Sequence, residues 1–132
     1  MTLYIKNYNH DDHYIMLEKW LNAKTLTIPP KSFFSDCGIC VNNIAIGFLF
    51  KTNSKQAYID HVAADPNSSY EDRQEALDFL FKYLEDIASK EGYEIITGLA
   101  RLPTMKTRFE DNNYKIHNDY TLYYKILEGR VK

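Results

Sequence analysis

Between Glu71 and Glu91 the apolar residues Ala76, Phe79, Leu80, Tyr83, Leu84 and Ile87 recur at intervals of three and four. That period gathers them on one stripe of a helix, which must be buried against a partner layer. The helix start is marked twice, since Ser68 with Glu71 and Ser69 with Asp72 both have capping-box spacing. Gly92 is placed to cap the other end.

The partner layer lies mainly upstream. The runs "CGICV", "IAIGFLF" and "AYIDHVAA" are strand-like and are separated by Asn42-Asn43 and by "TNSKQ", which predicts two successive hairpins. The opening "LYIKNY" is a short strand with Leu3 and Ile5 on one face and Tyr4 and Lys6 on the other. Asn9 can cap a helix from Asp11 to Ala23 that buries Ile15, Met16, Trp20 and Leu21. The "IPPK" stretch interrupts regular structure, because proline lacks an amide donor and restrains its predecessor.

Downstream, "YEIITGLA" reads as a strand and "PTMKTRFEDNN" as a short helix with proline in its first turn. The segments "YKI" and "YTLYYKIL" are expected to close the chain as an antiparallel hairpin around Asn118-Asp119. The element order is β-α-β-β-β-α-β-α-β-β. It predicts a single α/β domain over residues 1–132, with a mixed, mostly antiparallel, twisted sheet of about seven strands flanked by helices.

Composition narrows the function classes. A chain of 132 residues suits one core. A net charge of −2 gives no electrostatic footprint for nucleic acid or an anionic membrane. No run approaches the ~20 apolar residues of a membrane span, and Met1–Asn9 lacks a signal-peptide core. The expected location is the cytoplasm. Cys37 and Cys40 form C-x-x-C, but on a strand, positions three apart face opposite ways, and zinc needs more ligands than this pair supplies. His10 and His13, flanked by Asp11 and Asp12, fit a helix N-terminus better than a metal site.

The element order resembles that of the GNAT superfamily, the acetyl-CoA-dependent N-acetyltransferases. The stretches "GICVNNIAIGFLFKTNSKQAYIDHVAADP", "RQEALDFLFKYLEDIASKEGY" and "RFEDNNYKI" are similar to small GNAT-like proteins encoded by bacteriophages. The likeness runs from about Ile28 to Leu127. It implies a fourth strand that splays from the fifth, with the pantetheine arm of acetyl-CoA pairing with backbone at Val62, Ala63 and Ala64. It also implies a pyrophosphate-binding loop of pattern Q/R-x-x-G-x-G/A opening the long helix. Here that loop reads "DRQEAL", which makes Arg73 and Gln74 the candidates for holding the cofactor. The loop has no glycine, and Glu71, Asp72 and Glu75 disfavour an anion.

Amine acetylation needs a base for the incoming ammonium and an acid for the departing thiolate. By the resemblance the base belongs on the fourth strand, where Asp60 and His61 stand side by side. Asp60 matches the family position, while His61 has the better intrinsic pKa. Strand alternation lets only one face the cleft unless a bulge intervenes. The acid position, a tyrosine in the family, is Phe109, with Tyr114, Tyr123 and Tyr124 as substitutes. Arg101 and Arg108 could meet phosphates or an anionic substrate, though solvated loop and helix charges are the plainer reading. The acceptor would be a small-molecule or protein amine, and a homodimer could form through "YTLYYKIL" if it lies at a sheet edge. The alternative function is a GNAT-fold binding or virion-associated module without catalysis.

Overall fold

Three apolar runs pair as two hairpins because each has a chain reversal it can adopt cheaply. Strands β2 (Cys37–Val41) and β3 (Ala45–Phe50) are joined through Asn42 and Asn43, both at positive φ (53° and 51°). Asparagine tolerates that region, and a pair of such residues forms the tight turn that matches strand twist. The Ile44 amide closes the turn by donating to the Val41 carbonyl at 2.8 Å. Strand β4 (Gln56–Ala64) returns antiparallel to β3, and β1 (Ile5–Asn7) pairs antiparallel with β2. Strand β5 (Ile95–Gly98) lies parallel to β4, giving the sheet order β1-β2-β3-β4-β5. This computed structural model describes residues 1–100, 102–117, 119, 121–125 and 127.

A parallel neighbour requires a crossover, and helix α2 (Tyr70–Lys90) supplies it. Ser69 caps its start by accepting from the Asp72 amide at 3.1 Å. Its end closes on Gly92 at φ 88°, with Gly92 N bonded to Ser89 O and Tyr93 N to Ala88 O. That paired arrangement needs a left-handed residue, which glycine adopts without a Cβ penalty. Helix α3 (Pro103–Asp111) follows β5, and a 3₁₀ turn (Lys31–Phe33) follows the two prolines.

The sheet is covered on both faces. Leu80, Phe81 and Leu84 of α2 and Phe109 of α3 pack against Val41, Leu49 and Ile59. On the other face Leu17, Trp20 and Leu21 of α1 (His10–Asn22) pack against Cys40, Ile46 and Phe48. Each such fully buried side chain contributes roughly 1.5–3 kcal/mol.

The observed faces differ from the expected stripes. In α1, Ile15 is 64% exposed and Leu17 is fully buried, because His13 rather than an apolar residue opens the inward stripe of His13, Leu17, Trp20 and Leu21. His13 earns this place through its Nδ1, which accepts from the Asn9 amide at 3.1 Å. In α2 the buried stripe is Ala76, Leu77, Leu80, Phe81, Leu84 and Ala88, which leaves Tyr83 exposed. Ala76 and Ala88 are buried with the larger core residues of this stripe, and Phe79 and Ile87, partly buried, pack at its margin.

The sheet has five strands among the described residues, not about seven, so the predicted order loses its last two members. Residues 114–116 and 121–125 form no strand, while Asn118 of the expected turn, Tyr120 and Ile126 lie outside the described residues. Leu122, Tyr123 and Tyr124 are 75–87% exposed. The alternating pattern is there, but a strand also needs a backbone partner, which the pattern cannot supply. Cys37 and Cys40 do diverge, packing into opposite clusters, and burial pushes both thiols up, away from the reactive thiolate.

Candidate active site between strands β4 and β5

Strand β4 is nine residues long and β5 only four. Their ladder ends at Ile59 opposite Gly98, with the Leu99 amide still donating to the Ile59 carbonyl at 3.2 Å. Beyond that point residues 60–64 have a strand neighbour only on the β3 side among the described residues. The open edge is the part of the sheet where an extended ligand could find backbone partners.

A bulge interrupts the β3 side of the same stretch. Phe48 pairs with Asp60 and Ile46 with Ala63, so His61 and Val62 together oppose Gly47. His61 takes the extra turn at φ 54°. The bulge resets alternation, so Asp60 and His61 share a face rather than opposing each other. Asp60 lies opposite Phe48 on the α1 side, and the His61 ring sits 4.9 Å from Phe34 and 5.6 Å from Phe50 on that side. The carboxylate of Asp60 accepts from the His61 amide at 2.7 Å, and its other oxygen is 4.0 Å from His61 Nε2.

A cavity of about 190 Å³ runs along the residues that follow, Val62, Ala63 and Ala64, and neither Asp60 nor His61 lines it. Helix α1 adds Trp20 and Leu21, with Lys24 just past its end. Helix α2 adds Arg73 and Leu77, and α3 adds Met105 and Arg108. Four of the predicted cofactor residues, Val62, Ala63, Ala64 and Arg73, thus meet at one cavity. Gln74 does not line it, and its Oε1 is buried without a hydrogen-bond partner among the described residues. In the sequence the contribution of α1 is signalled by nothing beyond Trp20 on the inward stripe.

The β4–α2 loop is largely self-satisfied. The amides of Asn67 and Ser68 donate to Asp65, and that of Asp72 donates to Ser69. The Arg73 guanidinium donates to the Ser68 carbonyl and, at 3.4 Å, to that of Pro66. Glu71 and Glu75 are exposed and do not line the cavity, so the acids that crowd this stretch in sequence point elsewhere.

The acid position is apolar. Phe109 is buried, stacked on Phe81 at 5.0 Å, with its ring so close to Gly98 that a Cβ there would lie 2.1 Å from it. Tyr114 donates to Glu85 at 2.7 Å, and burial together with that carboxylate pushes its hydroxyl far above the ordinary phenol range. Tyr123 and Tyr124 are exposed. Arg108 lies 3.3 Å from Asp78, and Arg101 lies outside the described residues. Among the described residues no group of three or more His, Cys, Asp and Glu side chains could hold a metal ion. No described helix is long and apolar enough to cross a membrane.

No protein-family model matches the sequence, and no curated protein matches it. Solved structures do resemble it. A glucosamine-6-phosphate N-acetyltransferase from Arabidopsis thaliana superposes with a TM-score of 0.61 at 14% identity, covering 94% of this chain and 99% of that one. A transcriptional regulator from Bacillus halodurans C-125 gives a TM-score of 0.66 at 13% identity, covering 95% and 100%. At these identities the likeness shows a shared α/β fold and speaks to neither activity nor ligand.

Proposed function

We propose that this chain is a cytoplasmic N-acetyltransferase that takes acetyl-CoA between β4 and β5 and passes the acetyl group to an amine. The observation that carries the reading is the overrun of β4 past β5, which leaves residues 60–64 open, with Val62, Ala63 and Ala64 lining a largely apolar cavity. The fit differs between parts of the ligand. The open edge at Val62, Ala63 and Ala64 suits a pantetheine arm, whereas three of the amides near the helix start, those of Asn67, Ser68 and Asp72, are already engaged.

When bound, acetyl-CoA supplies a thioester whose carbonyl carbon the amine nitrogen attacks as the carbon–sulfur bond breaks. Asp60 and His61, on one face through the bulge, are the groups available to take the ammonium proton. The half-buried Asp60 carboxylate also favours a cationic acceptor near it. Phe109 and the committed Tyr114 hydroxyl leave thiolate protonation to solvent.

Trp20 is the sole tryptophan and lines the cavity, so its fluorescence reports occupancy directly. Titration with acetyl-CoA should change Trp20 emission with a dissociation constant on the order of micromolar. Release of free thiol should then follow addition of an acceptor amine. An unchanged signal at millimolar acetyl-CoA would sink the reading. That outcome would favour the second one, a catalytically silent GNAT-fold binding module such as a bacteriophage virion component, which the self-satisfied loop and Phe109 support.

A further inference from the structure

Three cationic side chains line the cavity beside β4, and no carboxylate does. Lys24 comes from just past α1, Arg73 from α2 and Arg108 from α3. This concentration of positive charge is local, since the whole chain is net negative at −2. Arg73 is held by two neutral carbonyls, which orient the guanidinium without cancelling its charge. Arg108 is 12% exposed and shares one nitrogen with Asp78, while its Nε is buried with no hydrogen-bond partner among the described residues. A buried charged donor left unmatched is costly, so the Arg108 guanidinium keeps unspent hydrogen-bonding capacity in this fold.

We propose that this cavity binds a phosphate-bearing anion through the side chains of Lys24, Arg73 and Arg108, in place of the backbone amides of the β4–α2 loop. The amides of Asn67, Ser68 and Asp72 are spent on Asp65 and Ser69, which reduces the donors this loop offers an anion and leaves the three cations as the charged groups at the cavity. The inference deepens the acetyl-CoA reading by assigning its pyrophosphate to these three side chains. It depends on that reading only for the source of the phosphate.

The test is calorimetric titration of the full chain, at low and moderate salt, with inorganic pyrophosphate, CoA and pantetheine. Pyrophosphate and CoA should bind more weakly as salt rises. Arg108→Gln and Lys24→Ala should each weaken both by about tenfold or more, with pantetheine affinity unchanged. Arg108→Gln keeps a donor for Asp78, and Lys24 is exposed, so circular dichroism and melting should match the parent chain. Failure of pyrophosphate to bind, or variants that bind as the parent does, would overturn the inference. If pyrophosphate binds with this dependence but CoA gains nothing over it, the anion site stands and the acetyl-CoA reading falls.

Discussion

The carboxylate of Asp60 holds the amide of His61 at 2.7 Å, and His61 is the residue whose φ of 54° makes the bulge in β4. A non-glycine residue in this region costs of order 1 kcal/mol, which the surrounding structure must offset. The bond from Asp60 is one offset, and the packing of the imidazole among Phe34, Phe48 and Phe50 is another. The two candidate bases are therefore coupled structurally before any chemistry is considered. Asp60 keeps His61 on the α1 face, and His61 leaves Asp60 half-buried beside it.

This coupling separates two variants of Asp60. Asp60→Asn retains a side-chain oxygen for the His61 amide and should stay within about 0.5 kcal/mol of the parent in denaturant unfolding. As a base it is useless, so transfer should slow by about 100-fold with acetyl-CoA affinity unchanged. Asp60→Ala removes the acceptor as well and should lose about 1 kcal/mol of stability. Parent-like turnover by Asp60→Asn would remove Asp60 from proton transfer and leave His61.

Gly98 and Phe109 are fitted to each other, since the Phe109 ring occupies the space a Cβ on Gly98 would need. Gly98→Ala should cost about 2 kcal/mol, as overpacking in a buried seam does. Shortening the ring in the double variant Gly98→Ala with Phe109→Leu should recover part of that loss relative to the sum of the two single changes. Additive losses in urea unfolding would show that the two residues do not share the strain.

Ser68 and Ser69 have the same capping-box spacing in sequence, and the structure distinguishes them. Ser69 accepts from the Asp72 amide, while Ser68 Oγ donates to the Asp65 carbonyl at 2.7 Å. Ser69→Ala should cost about 1 kcal/mol through the lost cap. Ser68→Ala removes a bond from an already bonded carbonyl and should cost less, measured side by side by thermal melting.

These cases show which features can be read before folding. Helix α2, the two hairpins and the Asn42-Asn43 turn follow from local period and turn chemistry, so their residues announce them. The bulge at His61 does not, because "IDHVA" carries no glycine or proline to mark it and the extra residue arises from the register with β3. His13 misleads for the opposite reason, being a polar residue whose burial depends on the Asn9 amide four positions back. Val62, Ala63, Ala64 and Arg73 are legible as cofactor candidates only through the resemblance, since no local period marks them, and all four line the cavity. Lys24 and Arg108 join them only because α1 and α3 converge there, a tertiary fact with no sequence period. Among the described residues the closing hairpin is absent, because alternation specifies a face and not a partner.

The described residues of that segment carry the dimer proposal. Leu122, Tyr123, Tyr124 and Leu127 are exposed, and β5 has a strand neighbour only on its β4 side among the described residues. A second copy offers both surfaces a partner, since an open edge pairs readily with an apolar strand-like segment. Sedimentation should show a dimer for the parent chain. Leu122→Lys with Tyr124→Lys should shift it to monomer by placing charge in the contact, and a parent chain that sediments as a monomer at high concentration would refute the pairing.

His13 gives the fold a pH dependence whose direction is fixed by its burial. Its side chain is 5% exposed, and burial lowers its pKa below the ordinary 6.5, with Asp12 opposing the shift. In the unfolded chain the imidazole takes up a proton as pH falls through about 6.5, while in the folded chain it resists. Over the window between the two values the unfolded state binds more protons, so stability is full above about pH 6.5 and declines as pH drops through that window. His13→Gln keeps an acceptor for the Asn9 amide and does not titrate, so it should remove this part of the decline. Unfolding midpoints from pH 8 to pH 5 for the two proteins would decide it: parallel curves would mean that His13 is not the residue the fold loses to acid.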